Sequence, residues 1–212
     1  MKIKICGITT TEALLAADNA GADFVGLVFY EKSPRHLTLE QAAILSKIPL
    51  QHAKIVALTV DAEDAFLIEI CTRVNVHALQ LHGAESPERV AFVKKTYQFP
   101  VIKAVGIATQ GDVAIVQQYQ GIADWLLLDA KPTAQELHGG NNKSFDWTLL
   151  QGFQSQTPWL LAGGLNPSNV ADAILQTKPD GVDVSSGVER ARGVKDNTLI
   201  ASFIKNVRAS AL

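Results

Sequence analysis

The sequence has little cysteine, no concentrated positive charge and no long apolar run, and each shortage removes a class of function. Two cysteines, Cys6 and Cys71, are too few for a disulfide framework and do not have zinc-site spacing. The five histidines fall in no H-E-x-x-H or similar pattern, so no metal is expected. Nineteen Lys and Arg against 21 Asp and Glu leave a net charge of −2. No basic cluster is placed to neutralise a run of phosphates, so nucleic acid is not an expected partner. Apolar runs such as Trp125 to Leu128 are far shorter than the ~20 residues of a membrane span. The opening Met1-Lys2-Ile3-Lys4-Ile5 lacks the apolar stretch of a signal peptide. Linkers and low-complexity segments are also missing. A content of 47% hydrophobic and 19% charged residues over 212 positions instead suits one globular domain, residues 1–212, with a sizeable core. The expectation is a soluble, reduced, cytoplasmic protein.

What is present is an alternation. Eight short apolar runs read as strands: Lys2–Gly7, Phe24–Phe29, Lys54–Val60, Ala78–His82, Val101–Ala104, Trp125–Asp129, Trp159–Ala162 and Gly181–Ser185. Almost every one is followed by an amphipathic stretch with a helix-start signal. Thr9 with Glu12, and Thr38 with Gln41, have capping-box spacing. Asp61 precedes an apolar stripe, and Ser86-Pro87 and Asn166-Pro167 each place a capping residue before a proline. Strands alternating with helices imply a parallel sheet, and eight units in this length point to a compact (β/α)8 barrel. An open doubly wound sheet is the alternative, but no G-x-G-x-x-G turn follows the first strand.

Strands buried on both faces should be continuously apolar, so the polar exceptions are informative. They are Lys4 and Cys6, Gln80 and His82, Lys103, Asp129, and Asp183 and Ser185. Paired exceptions lie two apart and therefore share a face. Cys6, His82, Asp129 and Ser185 end their strands, and in a barrel those ends form the mouth where active sites are built. An unpaired cysteine is ordinarily a small buried hydrophobe, the reading that suits Cys71 in its helical stripe. Cys6 differs because Gly7 lets the chain leave the strand sharply and turns the side chain to the mouth. Asp129 closes a run of Trp and Leu, where a carboxylate needs a task or an ion-pair partner. Lys103 admits a Schiff-base role or a charge-satisfying one within the barrel. Glycine-bearing turns after the seventh strand (Gly163-Gly164) and the eighth (Ser185-Ser186-Gly187) let backbone N–H groups approach an anion such as phosphate. In the loop after the second strand, Arg35 is either a solvated residue or a fork for a substrate carboxylate.

These motifs, in order, resemble the phosphoribosylanthranilate isomerase family of tryptophan biosynthesis. The matching segments include Lys4-Ile5-Cys6-Gly7-Ile8-Thr9, Gly21-Ala22-Asp23, Ser33-Pro34-Arg35, Leu79-Gln80-Leu81-His82-Gly83 and Leu127-Leu128-Asp129. Phe145-Asp146-Trp147, Gly163-Gly164-Leu165, Val182 to Glu189 and Gly193-Val194-Lys195-Asp196 complete the set, which spans essentially the whole chain. The resemblance implies a barrel, monomeric or homodimeric, that carries out an Amadori rearrangement of a small phosphoribosyl substrate without cofactor. It implies Asp129 as general acid, Cys6 as general base and Arg35 as the residue holding the anthranilate carboxylate. Gln80, His82 and Asp183 would line the substrate, and Gly163, Gly164, Ser185, Ser186 and Gly187 would hold its phosphate. Reference carboxylic acids ionise near ~3.9 and thiols near ~8.5. An acid and a base of these two types start in the wrong state at neutral pH, so substrate binding is expected to set both protons. Two departures from the family pattern are the Gly139-Gly140-Asn141-Asn142 run and Thr59, expected at the pocket wall where an aromatic is common. The related histidine-pathway isomerase would have an aspartate in place of Cys6, and a non-catalytic sugar-phosphate binder would need neither acid nor base.

Overall fold

The computed structural model describes residues 1–131 and 145–210. Eight strands are formed: β1 Lys2–Cys6, β2 Phe24–Val28, β3 Lys54–Thr59, β4 Ala78–Leu81, β5 Val101–Ile107, β6 Trp125–Ala130, β7 Trp159–Leu161 and β8 Gly181–Val184. They close in sequence order into a barrel, with every neighbouring pair parallel. Around it lie α1 Thr11–Asn19, α2 Leu39–Leu45, α3 Asp64–Arg73, α4 Pro87–Tyr97, α5 Gln110–Val116, α6 Val170–Thr177 and α7 Asn197–Ser210. A small antiparallel pair, β9 Glu189–Ala191 and β10 Val194–Lys195, follows β8. The architecture is the (β/α)8 barrel that the strand–helix period predicts.

Two faces of the strands build two separate cores. Outward residues such as Ile3, Ile5, Val25, Leu27, Ile55 and Leu79 join the helices' apolar faces in one large cluster. Inward residues Val56, Ala78, Ile102, Ala104, Leu127, Leu160 and Ala162 fill the barrel itself. Phe24 and Trp125 close its lower end edge to face, with ring centroids 6.3 Å apart. A third, small apolar group at the upper end contains Cys6, Val28 and Leu58, backed by Tyr30 and Val60.

At the lower end a hydrogen-bond device recurs four times. The residue before each even strand is Asp23, His77, Asp124 or Asp180, and its backbone N–H donates to the first or second residue of the preceding odd strand. Its side chain accepts the N–H of that same residue: Ile3 to Asp23 at 3.0 Å, Ile55 to His77 at 3.2 Å, Val101 to Asp124 at 2.9 Å and Trp159 to Asp180 at 2.9 Å. Each loop is thus clamped to the neighbouring strand by two bonds, and the N–H of that strand residue is paired. His77, without a role in the sequence, is the member of this set before β4. Asp180→Ala is expected to lower the unfolding free energy by about 1 kcal/mol, the net worth of one hydrogen bond, here to a part-buried N–H. Urea unfolding measures it, and chemistry at the opposite end of the barrel should be unaffected.

Helix starts follow the sequence in part. Thr38 and Gln41 form the full capping box, and Ser86 caps a helix with Pro87 in its first turn. Three expectations are corrected. Thr10, not Thr9, caps α1 by accepting from Ala13. The N-cap of α3 is Glu63; Asp61 sits at φ 48 and its side chain accepts from Ala84 of the next loop at 2.7 Å. Asn166 caps a turn, receiving the N–H groups of Ser168 and Asn169, so α6 starts only after Asn169.

Candidate active site

At the upper end, Cys6 is 5% exposed on the last position of β1. Lys4, two residues earlier on the same face, is wholly buried, and its ammonium lies 2.9 Å from the carboxylate of Asp183. That contact follows from the barrel closing on itself, because Lys4 and Asp183 are register partners across β1 and β8. Burial pushes the Cys6 thiol up, and the adjacent Lys4 cation pulls it back down. Burial likewise opposes the Lys4 charge, yet Asp183 and Cys6 together hold it above the usual lysine range. The opening beside these groups belongs to Gly26: a Cβ there would come 2.8 Å from Cys6 Sγ. No side chain fits at that position without moving the sulfur.

Asp129 ends the inward face of β6. Its Oδ1 accepts the N–H of Ala130 at 2.8 Å, and its Oδ2 lies 3.4 Å from His82 Nε2. The other ring nitrogen of His82 is 2.8 Å from Gln80 Nε2. With the amide donating, the Nε2 proton of His82 faces Asp129. Gln80, His82 and Asp129 are therefore one chain of contacts, rising from inside β4 to the mouth. Gly163 (φ 85) passes directly over it, and a Cβ there would lie 2.7 Å from Ala130 N and 3.2 Å from Asp129 Oδ1. Only glycine lets the turn after β7 approach the carboxylate this closely.

The two glycine-bearing turns meet. A Cβ on Gly187 would reach 1.8 Å from the Leu165 carbonyl oxygen, so the turn after β8 packs against the turn after β7. Behind them lies a charged cluster. Arg35 is buried and presents its fork to Glu189, with Nε to Oε1 at 2.6 Å and Nη2 to Oε2 at 2.9 Å. Lys195 shares that carboxylate at 2.9 Å and donates to the Ser185 carbonyl at 2.8 Å. Burial lowers Lys195, with Glu189 resisting. Burial also opposes the Glu189 charge, but the Arg35 and Lys195 contacts keep its carboxyl below the usual range. Among the described residues, Lys4 pairs with Asp183, while Arg35 and Lys195 share Glu189.

The structure thus brings Cys6, Asp129, His82, Gln80, Asp183, Arg35 and both turns to one end of the barrel. Glu189 and Lys195 were missed as site residues; the signal available was that both are charged residues inside recognised motifs, Val182 to Glu189 and Gly193 to Asp196. Two expectations are corrected here. Lys103 does not face the barrel interior: it lies on the outward face of β5, its neighbours Ile102 and Ala104 being the inward ones. Its ammonium pairs with Glu85 at 2.7 Å, donates to the Gly83 carbonyl at 2.7 Å and sits 5.6 Å from the Tyr119 ring centroid. A Schiff base with a substrate at the mouth is out of its reach. Thr59 likewise points outward, its Oγ1 buried without a partner among the described residues. Leu58 lines the mouth instead. The Gly139–Asn142 run lies outside the described residues.

The profile of the N-(5'-phosphoribosyl)anthranilate (PRA) isomerase family matches residues 3–206. An N-(5'-phosphoribosyl)anthranilate isomerase of Brucella canis is 49% identical over 208 residues, covering 98% of this chain and 94% of the relative. Phosphoribosyl anthranilate isomerase from Thermotoga maritima superposes with a TM-score of 0.89 at 37% identity over 99% of both chains. A phosphoribosyl anthranilate isomerase in complex with reduced 1-(o-carboxyphenylamino)-1-deoxyribulose 5-phosphate gives 0.84 at 36%, again over 99% of both. The profile runs from the strand that carries Cys6 to the last helix, and it takes in every residue gathered at the mouth. This chain belongs to the N-(5'-phosphoribosyl)anthranilate isomerase family.

Proposed function

We propose that the chain converts N-(5'-phosphoribosyl)anthranilate to 1-(2-carboxyphenylamino)-1-deoxyribulose 5-phosphate, an Amadori rearrangement in tryptophan biosynthesis. The carrying observation is that Cys6 and Asp129 stand at the same end of the barrel, beside two abutting glycine-bearing turns. Asp129, protonated when substrate is bound, gives its proton to the ribose ring oxygen. The C1–O bond breaks and the anthranilate nitrogen lone pair forms the C1=N bond of a Schiff base. Cys6, as thiolate, takes the proton from C2. The C–H electron pair becomes the C1=C2 bond of an enolamine, and the iminium nitrogen recovers its lone pair. Loss of the C2 hydroxyl proton and protonation at C1 complete the ketone. Only protons move, so the chemistry calls for no cofactor.

The surroundings support this division of work. Arg35, its guanidinium steadied by Glu189, holds the anthranilate carboxylate. The apolar group of Val28, Leu58 and Tyr30 beside Cys6 suits the aromatic ring. Gly163, Gly164, Ser185, Ser186 and Gly187 cradle the phosphate through backbone N–H groups. Gln80 and His82 orient Asp129, and Asp183 acts through Lys4. The enzyme works in the cytoplasm as a monomer or homodimer.

The test makes the substrate in the cuvette from anthranilate and a phosphoribosyl donor with a phosphoribosyltransferase, and follows its fluorescence. Addition of this chain should bring decay of the signal and product of unchanged mass; no decay at any concentration overturns the reading. The phosphate site is tested by Ser186→Asp, which places a carboxylate on the half-exposed turn after β8. KM is expected to rise about a hundredfold, or ~2.7 kcal/mol of binding, with the urea midpoint near that of the parent. An unchanged KM would move the phosphate elsewhere.

A further inference from the structure

Cys6 is an unpromising base by burial alone, since a low-dielectric site disfavours the thiolate that must abstract the proton. Something in the fold has to offset that cost. Three charged groups bear on the sulfur: Lys4 from β1, Asp183 from β8 and Lys195 from β10. Arg35 of the β2 loop lies against Gly7 next door, while Val28 and Leu58 of β2 and β3 bring only apolar surface. Lys195 is engaged with Ser185 and Glu189. Lys4 is the cation that shares the strand face of Cys6, and its charge favours the thiolate. A Cβ on Gly26 would lie 2.8 Å from Cys6 Sγ and 3.2 Å from Lys4 Nζ. Both atoms therefore lean into the one space that the glycine leaves.

We propose that Lys4 is the positioning residue of the general base: held by Asp183 and given room by Gly26, its ammonium stands beside Cys6 Sγ and compensates the charge of the thiolate. The proton taken from C2 goes to sulfur, and Lys4 stays protonated throughout. Asp183 aims Lys4 and at the same time limits how far its charge favours the thiolate. This inference rests on the reading of Cys6 as base and names what makes that base usable.

Opposed charge changes separate this role from a merely structural one. Alkylation of Cys6 by iodoacetamide is followed against pH by peptide mass spectrometry, with Cys71 of α3 as internal control. In Lys4→Met the Cys6 midpoint should rise by about one pH unit or more, and in Asp183→Asn it should fall. Lys4→Arg should keep it near the parent value. Each single change leaves a buried charge unpaired, so the double variant Lys4→Met/Asp183→Asn, with no charge in the pair, covers a folding failure. Its midpoint should lie above that of the parent. In turnover, Lys4→Met should lower kcat about tenfold to a hundredfold with KM little changed. A Cys6 midpoint that stays put, or that moves the same way in both single variants, overturns the proposal. Alkylation needs no substrate, so this failure is distinct from absence of isomerase activity in the parent chain.

Discussion

Cys6→Ala should lower kcat about a thousandfold, within the range by which a positioned general base accelerates proton transfer, while KM changes only a few-fold. The side chain is 5% exposed at the end of β1, and its removal deletes one sulfur from a small apolar group rather than a strut from the main core. The two glycine-bearing turns, Arg35 and Asp129 sit on other elements, so substrate should still bind and its ring should still open. The sign of the pH dependence follows from the same group. The base must be deprotonated, and burial pushes the thiol up, so kcat/KM should climb with pH through the thiol titration. Cys6→Ala should lose that limb, and Cys6→Ser, with a far less acidic hydroxyl, should resemble Ala rather than the parent. Single-turnover fluorescence decay measures both variants. Activity near the parent value in Cys6→Ala would mean that another group takes the C2 proton, with Asp183, the carboxylate paired with Lys4, the candidate.

The barrel was legible because parallel strands buried on both faces read as unbroken apolar runs, and all eight fall where those runs lie. Ends were less sharp: β5 continues to Ile107, past the expected Ala104, because pairing with β6 extends through Gly106 and Ile107. Parity worked where polar residues came in pairs. Lys4 with Cys6 and Gln80 with His82 define a face from within their own strands. Lys103 is a single exception, and nothing in β5 alone says which way it points. The register with β6 and the packing of Tyr119 decide that. Long-range pairings were beyond the sequence: the Arg35–Glu189 bond joins residues 154 positions apart. The Gly-Ala-Asp at 21–23 was read as a family motif. Its physical role, closing β1 against β2, appears only when four such loops are seen together at one end of the barrel.

Asp129→Asn tests the other half of the proton transfer and should cost at least as much in kcat, about a thousandfold or more. The amide keeps the shape of the carboxyl and can still accept from Ala130, the 2.8 Å contact that fixes the side chain. It has no proton to give to a ring oxygen. A reduced, already open product analogue, such as the compound bound in a relative's structure, presents no ring to open. It should therefore bind Asp129→Asn about as tightly as it binds the parent. This separates catalysis from architecture. If Asp129 served only to pair with His82 at 3.4 Å, analogue binding and the urea midpoint would fall together with turnover. The double variant Cys6→Ala/Asp129→Asn carries the argument one step further. Ring opening and proton abstraction are successive steps on one pathway, so whichever is slower sets the rate, and the two losses should not multiply. A double variant much worse than either single one would instead place both groups in a single concerted transition state.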